Sequence, residues 1–188
     1  MMAQVQTSYQ MCMSKKLPLQ AFKFQYNGLA KQIITPVVIV PEHHFDDTKL
    51  KDILQDAKNL GLQFNALWDT GASCSCIKPD IAKKIGITEN IVTFTQVTGV
   101  NSKTETKPVY KIGTIILPNR VRYDGFHLIE SNIASIEADI LIGMDLILSG
   151  DMSITNYGGK TTFCFSAPPH ENEIDLVERS NRVNKRKK

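Results

Sequence analysis

A carboxylate that is to work as an acid or a base must be held at the end of a rigid element, and the stretch Trp68-Asp69-Thr70-Gly71-Ala72-Ser73 has that form. Upstream of it, Leu62, Phe64, Ala66 and Trp68 alternate with Gln63, Asn65 and Leu67, the period of two that marks a strand. The strand ends in Asp-Thr-Gly, where glycine allows close backbone approach and φ values that are costly for other residues. Asp69 is therefore a candidate catalytic carboxylate on a tight turn. Read alone, Asp-Thr-Gly is also an ordinary strand-ending turn, since all three residues serve in turns. A second apolar run, Ala138-Asp139-Ile140-Leu141-Ile142, reads as a buried strand and passes directly into Gly143-Met144-Asp145.

These two stretches need a domain to position them. A chain of 188 residues with 42% hydrophobic content suffices for one domain with a sizeable core. The formal net charge of +3 is unevenly placed, because Arg179, Arg182, Lys185, Arg186, Lys187 and Lys188 all fall in the last ten residues. Subtracting those six leaves the rest of the chain at −3. Such a basic tail reads as a solvated, disordered terminus, with contact to nucleic acid as the alternative. No run of 18 or more apolar residues is present, so no membrane partner is expected. Cys12, Cys74, Cys76 and Cys164 make no disulfide framework, which fits reduced thiols in a cytoplasmic setting. No metal site is expected, because no second Cys or His pair stands at ligand spacing; the adjacent His43 and His44 point to opposite sides of an extended chain.

Together, Asp69-Thr70-Gly71 and the later Leu141-Ile142-Gly143 resemble the retropepsin-like aspartic proteases, and the resemblance covers about residues 33–166. It implies an all-β fold, a closed β-barrel forming half of an acid protease with a few short helices, and no cofactor. Asp69 would be the catalytic aspartate, with Thr70 and Gly71 completing its loop. Ala72, Leu141, Ile142 and a flap near residues 96–104, including Val97, Thr98, Gly99 and Val100, would bind a peptide or protein substrate. A plain surface hairpin is the other reading of 96–104. With a single Asp-Thr-Gly, the second aspartate must come from another copy, so the expected active form is a homodimer with its site on the two-fold axis. Ala72 stands where pepsin-like enzymes place a hydroxyl that bonds to the carboxylate, which predicts activity at mildly rather than strongly acidic pH. Ser73 and Met144 replace the charged pair that supports the dimer in some retroviral members; Gly-Met-Asp looks more like retrotransposon-derived and cellular or bacterial ones.

The remaining elements follow from pattern. Residues 1–30 are expected to be an N-terminal arm, 31–167 the protease-like domain and 168–188 the basic tail. Residues 32–40 read as a strand with an edge or bulge at Pro36. Leu50, Ile53, Leu54, Ala57 and Leu60 follow helical spacing over 48–60, with Gly61 closing the end. A short helix is predicted at 78–86, strands at 111–118 and 126–130, and a hairpin over 152–165 turning at Gly158-Gly159.

Overall fold

The computed structural model describes residues 18–42, 50–98, 104–133, 135 and 137–185. Strand β1 (Gln20–Gln25) is followed by β2 (Ile33–Val40), helix α1 (Leu50–Asp56), β3 (Gln63–Trp68), β4 (Cys76–Ile77) and α2 (Pro79–Lys84). Next come β5 (Ile91–Thr98), β6 (Thr104–Lys111), β7 (Thr114–Ile116), β8 (Arg122–Asp124) and β9 (His127–Glu130). The last elements are β10 (Ile140–Ile142), α3 (Met144–Ile147), β11 (Asp151–Thr155), β12 (Thr162–Ala167) and α4 (Leu176–Lys185).

The strands form two sheets. A nine-stranded sheet runs β5-β6-β9-β4-β10-β3-β2-β7-β8, and a three-stranded sheet runs β1-β12-β11. The larger sheet curls without closing, since its ends, β5 and β8, do not pair with each other. That corrects the closed barrel expected from the resemblance to a curled half-barrel. Both terminal strands are largely exposed, and β8 has only three residues, too short to pair along the eight of β5. Strand β3 lies between β2, to which it is antiparallel, and β10, to which it is parallel, so the Asp69 loop leaves a strand paired on both sides.

The core sits between the sheets. Trp68 packs 4.9 Å from Phe163 and 4.8 Å from Phe165, ring centre to ring centre, and Phe22 of β1 closes the same cluster. The indole Nε1–H donates to Thr35 Oγ1 at 2.9 Å, so this buried tryptophan keeps its one polar group paired. In this way the residue before Asp69 is anchored to β2 and to the smaller sheet.

Pro36 lies inside β2 at no cost to the ladder. The Ile34 N–H and C=O turn away from β3 to Tyr26 Oη, at 2.9 and 2.7 Å, and the nitrogen two residues on faces the same way. Strand β7 pairs only with Val38–Val40, so the proline nitrogen meets a stretch without a neighbouring strand, as an edge position requires.

Three boundaries differ from the sequence expectation. The 1–30 arm contains β1, which pairs along its whole length with β12, while residues 1–17 lie outside those described, as do His43 and His44. The helix expected over 48–60 ends at Asp56; Leu62 N–H returns to Ala57 O, Gly61 takes φ +69°, and Leu60, counted on the apolar stripe, is exposed. The tail expected to be disordered contains α4, exposed along its length and started by Asp175 Oδ1, which accepts from Val177 and Glu178 N–H. Arg182 bonds Glu178 one turn below, so local capping and an i,i+4 pair supply what tertiary packing does not.

Candidate active site

The Asp69 loop is held from behind by the chain that leaves β10. Asp69 N–H donates to Ile142 O at 3.0 Å, Met144 N–H to Ala72 O at 2.8 Å, and Asp145 N–H to Ser73 O at 3.2 Å. Within the loop, Ala72 N–H reaches Asp69 O at 3.2 Å, and the Gly71 N–H donates to the Asp69 carboxylate at 2.9 Å. That last bond orients a half-buried carboxylate.

Space is tight at Gly71 and requires glycine at Gly143. A Cβ on Gly71 would lie 3.2 Å from Asp69 Oδ1, and one on Gly143 would lie 2.6 Å from the Cys74 carbonyl carbon and 2.9 Å from Ala72 O. Neither has a positive φ, so the reason for glycine here is close approach and not left-handed backbone. Gly143 thus lets the second motif lie directly against the back of the first.

The structure brings Asp69, Thr70, Gly71, Ala72, Leu141, Ile142 and Gly143 together, with the side chain of Thr70 exposed. One expected substrate contact is corrected. Ile142 is fully buried, because pairing in register with Trp68 turns its side chain into the core, and it serves the loop through its carbonyl. Leu141, on the alternate face of β10, is half-buried.

Val97 and Thr98 lie at the far end of β5, in a hairpin with β6 whose described end is tied by Thr98 Oγ1 and Thr104 Oγ1 at 3.1 Å. Gly99 and Val100 of the expected flap lie outside the described residues. The root of the hairpin is fixed by Tyr110, whose hydroxyl donates to Glu130 at 2.6 Å. Burial and that bond push the phenol up to about 12.

Two residues that chemistry-directed reading of the sequence passed over are Ser75 and Asp145. Ser75 is fully buried, and its N–H and hydroxyl both donate to the Asp145 carboxylate, at 2.9 and 2.6 Å. In the sequence, Asp145 closes the Gly-Met-Asp of the second motif and Ser75 stands two residues past the Asp69 stretch, but nothing there pairs them.

The thiols beside the loop are held neutral. Burial, then the charges of Cys74, Asp145 and Asp69, push Cys76 from 9.0 up to about 12, and burial raises Cys74 as well. At pH 8 the Cys76 thiolate should therefore be about a thousandfold scarcer than in the unfolded chain, and iodoacetamide should label it correspondingly slowly. Because the folded value lies above the unfolded one, the stability contributed is full below about pH 9 and is lost as the pH rises towards 12. Melting temperatures that rise between pH 9 and 11 would contradict this.

Residues 56–146 match a family model described as aspartyl protease. The fold is similar to that of a retropepsin-like aspartic protease from Rickettsia conorii, with a TM-score of 0.50 over 81% of this chain and 98% of that one, at 10% identity. The fold is retropepsin-like. Two further solved structures match less extensively. One is a foamy viral protease–reverse transcriptase in complex with an RNA/DNA hybrid, at 18% identity, 62% of this chain, 11% of that chain and TM-score 0.38. The other is the retroviral protease-like domain of Ddi1 from Leishmania major, at 14% identity, 66% of this chain, 78% of that chain and TM-score 0.36. No curated protein matches the chain. The family match runs from the last residue of α1 into α3, so it contains the Asp69 loop and the Gly143 support. Among the described residues, no helix is long and apolar enough to cross a membrane.

Proposed function

We propose that the chain is an aspartic endopeptidase in which two copies each contribute one Asp69. The observation that carries this reading is the half-buried Asp69 carboxylate, oriented by the Gly71 N–H on a loop braced from behind by the chain leaving β10. Two such carboxylates brought close do not ionise together readily and share one proton. The charged one takes a proton from the water between them as that water attacks the peptide carbonyl carbon. The other donates its proton to the carbonyl oxygen. The resulting gem-diol collapses as a proton passes to the leaving nitrogen and the C–N bond breaks.

Thr70, exposed at the front of the loop, would bond across the two-fold axis and keep the loops in register. The β5–β6 hairpin acts as the flap, with Val97 and Thr98 on the strand leading into it, and would bind extended peptide through main-chain bonds. Leu141 and Ala72, both half-buried, are the proposed contributors to substrate contact beside the aspartate.

The test is digestion of a diverse peptide mixture by purified protein across pH 4 to 7, read by mass spectrometry. The expected result is discrete internal cuts, strongest at mildly acidic pH because Ala72 offers the carboxylate no hydroxyl. Activity greatest at strongly acidic pH would refute the role given to Ala72. Peptide binding without cuts, by a protein shown to be dimeric, would replace the endopeptidase with a peptide-binding module on the same fold.

A further inference from the structure

Resting on the proposed protease reading, we infer that Ser75 and Asp145 are positioning residues for Asp69, a side-chain latch that fixes the catalytic loop against the end of β10. The main chain alone links the two stretches through Asp69 to Ile142, Met144 to Ala72 and Asp145 to Ser73. All three bonds involve the front half of the loop, up to Ser73. The back half is held by side chains: Gly143 N–H donates to Ser75 Oγ at 3.0 Å, Ser75 Oγ–H donates to Asp145 Oδ1 at 2.6 Å, and Ser75 N–H donates to Asp145 Oδ2 at 2.9 Å. Ser75 O in turn accepts from Ile129 N–H of β9, the strand that carries the hairpin β5–β6 through β6. The latch therefore sits where the loop, its support and the strand bearing the proposed flap meet.

The direction of these bonds dictates the chemistry at position 145. Ser75 Oγ accepts from Gly143, so its own proton must go to an acceptor, and Asp145 Oδ1 is that acceptor while also receiving Leu146 N–H at 2.9 Å. Oδ2 is occupied by Ser75 N–H. Both oxygens accept and neither donates, which suits a carboxylate and not an amide. An asparagine of the same shape would turn an NH2 either at the Ser75 N–H, donor against donor, or at an Oγ already receiving Gly143. One bond of a fully buried serine is lost in either orientation. The Cβ that Gly143 cannot carry shows how little the loop can move without losing this seat.

Asp145→Asn and Ser75→Ala test the latch in the full-length chain, with Asp69→Asn as the inert reference. For each latch variant the expected result is a fall in kcat of about a hundredfold with KM changed less than about threefold, the pattern of a misplaced reacting group and not of a lost substrate contact. Hydrogen exchange gives a readout that needs no activity: amides of 69–75 should exchange faster while those of β1 and β12 keep their protection. The fluorescence of Trp68, the one tryptophan in the chain, reports the same segment. Wild-type kcat in both variants, or protection lost equally across β1 and β12, would overturn the inference. If the wild-type protein cuts no peptide, the protease reading fails, while exchange confined to 69–75 would still establish the latch as what holds the loop.

Discussion

Replacing Asp69 with asparagine should lower peptide cleavage by at least about a hundredfold and leave the fold intact. The loss follows because the side chain is the only proposed proton acceptor for the attacking water, and a positioned acid–base group contributes on the order of 10²–10⁴ in rate. The fold should survive because the carboxylate is half-buried and its one described side-chain bond, from Gly71 N–H, can be accepted equally well by the amide oxygen. Peptide binding should likewise persist, which separates this variant from one that has merely unfolded. Turnover at the wild-type level by a folded Asp69→Asn protein would remove Asp69 from the mechanism.

Gly143→Ala should have the largest effect on stability of any single methyl added near the site. The new carbon would lie 2.6 Å from the Cys74 carbonyl carbon, 2.7 Å from its oxygen and 2.9 Å from Ala72 O, all backbone atoms fixed by β4, β10 and the loop itself. Overpacking of this kind costs about 1–3 kcal/mol, and backbone neighbours that cannot step aside place the expected loss at the upper end, about 3 kcal/mol. In a chain of this length that corresponds to a melting temperature lower by roughly 6–12 °C. Gly71→Ala is the informative contrast, because its Cβ would meet only the Asp69 carboxylate, at 3.2 Å. That variant should keep most of its stability and lose activity as the carboxylate is pushed aside. Equal melting temperatures for Gly143→Ala and the wild type would show that the loop is not packed as described.

The parts of the site that were legible in the sequence are those whose signals are local. Alternation from Leu62 to Trp68 announced β3, and Gly71 announced a close approach, which the geometry shows against the Asp69 carboxylate. Ser75 and Asp145 were not legible, because a small hydroxyl and an acid acquire their meaning only from each other across 70 positions of chain. The misassignment of Ile142 has a related cause. Apolar character is shared by residues that face substrate and residues that face the core, and only the parallel register with β3 decides between them.

Elsewhere the misses concern where elements stop. The apolar stripe of α1 continues past Asp56, yet Gly61 at φ +69° and the return bond from Leu62 to Ala57 end the helix early and expose Leu60. Strand β1 is short and begins and ends in glutamine, so Phe22 and Phe24 declare a strand only once β12 is beside them. At the other end, the charge of the tail outweighed a capping aspartate and a Glu178–Arg182 pair that favour helix locally. In each case a long-range partner or a single cap decided what composition could not.

The central claim is that one active site is built from two Asp69 side chains in two copies, and subunit mixing tests it most directly. Wild-type and Asp69→Asn chains are mixed in equal amounts, allowed to exchange, and assayed at fixed total protein on a peptide the wild type cuts. If both copies must supply an aspartate, random pairing leaves about a quarter of the dimers active, so activity falls to about a quarter of that of wild type alone. Activity that settles at one half would mean that each chain works with its own Asp69 only, and would contradict the two-copy site.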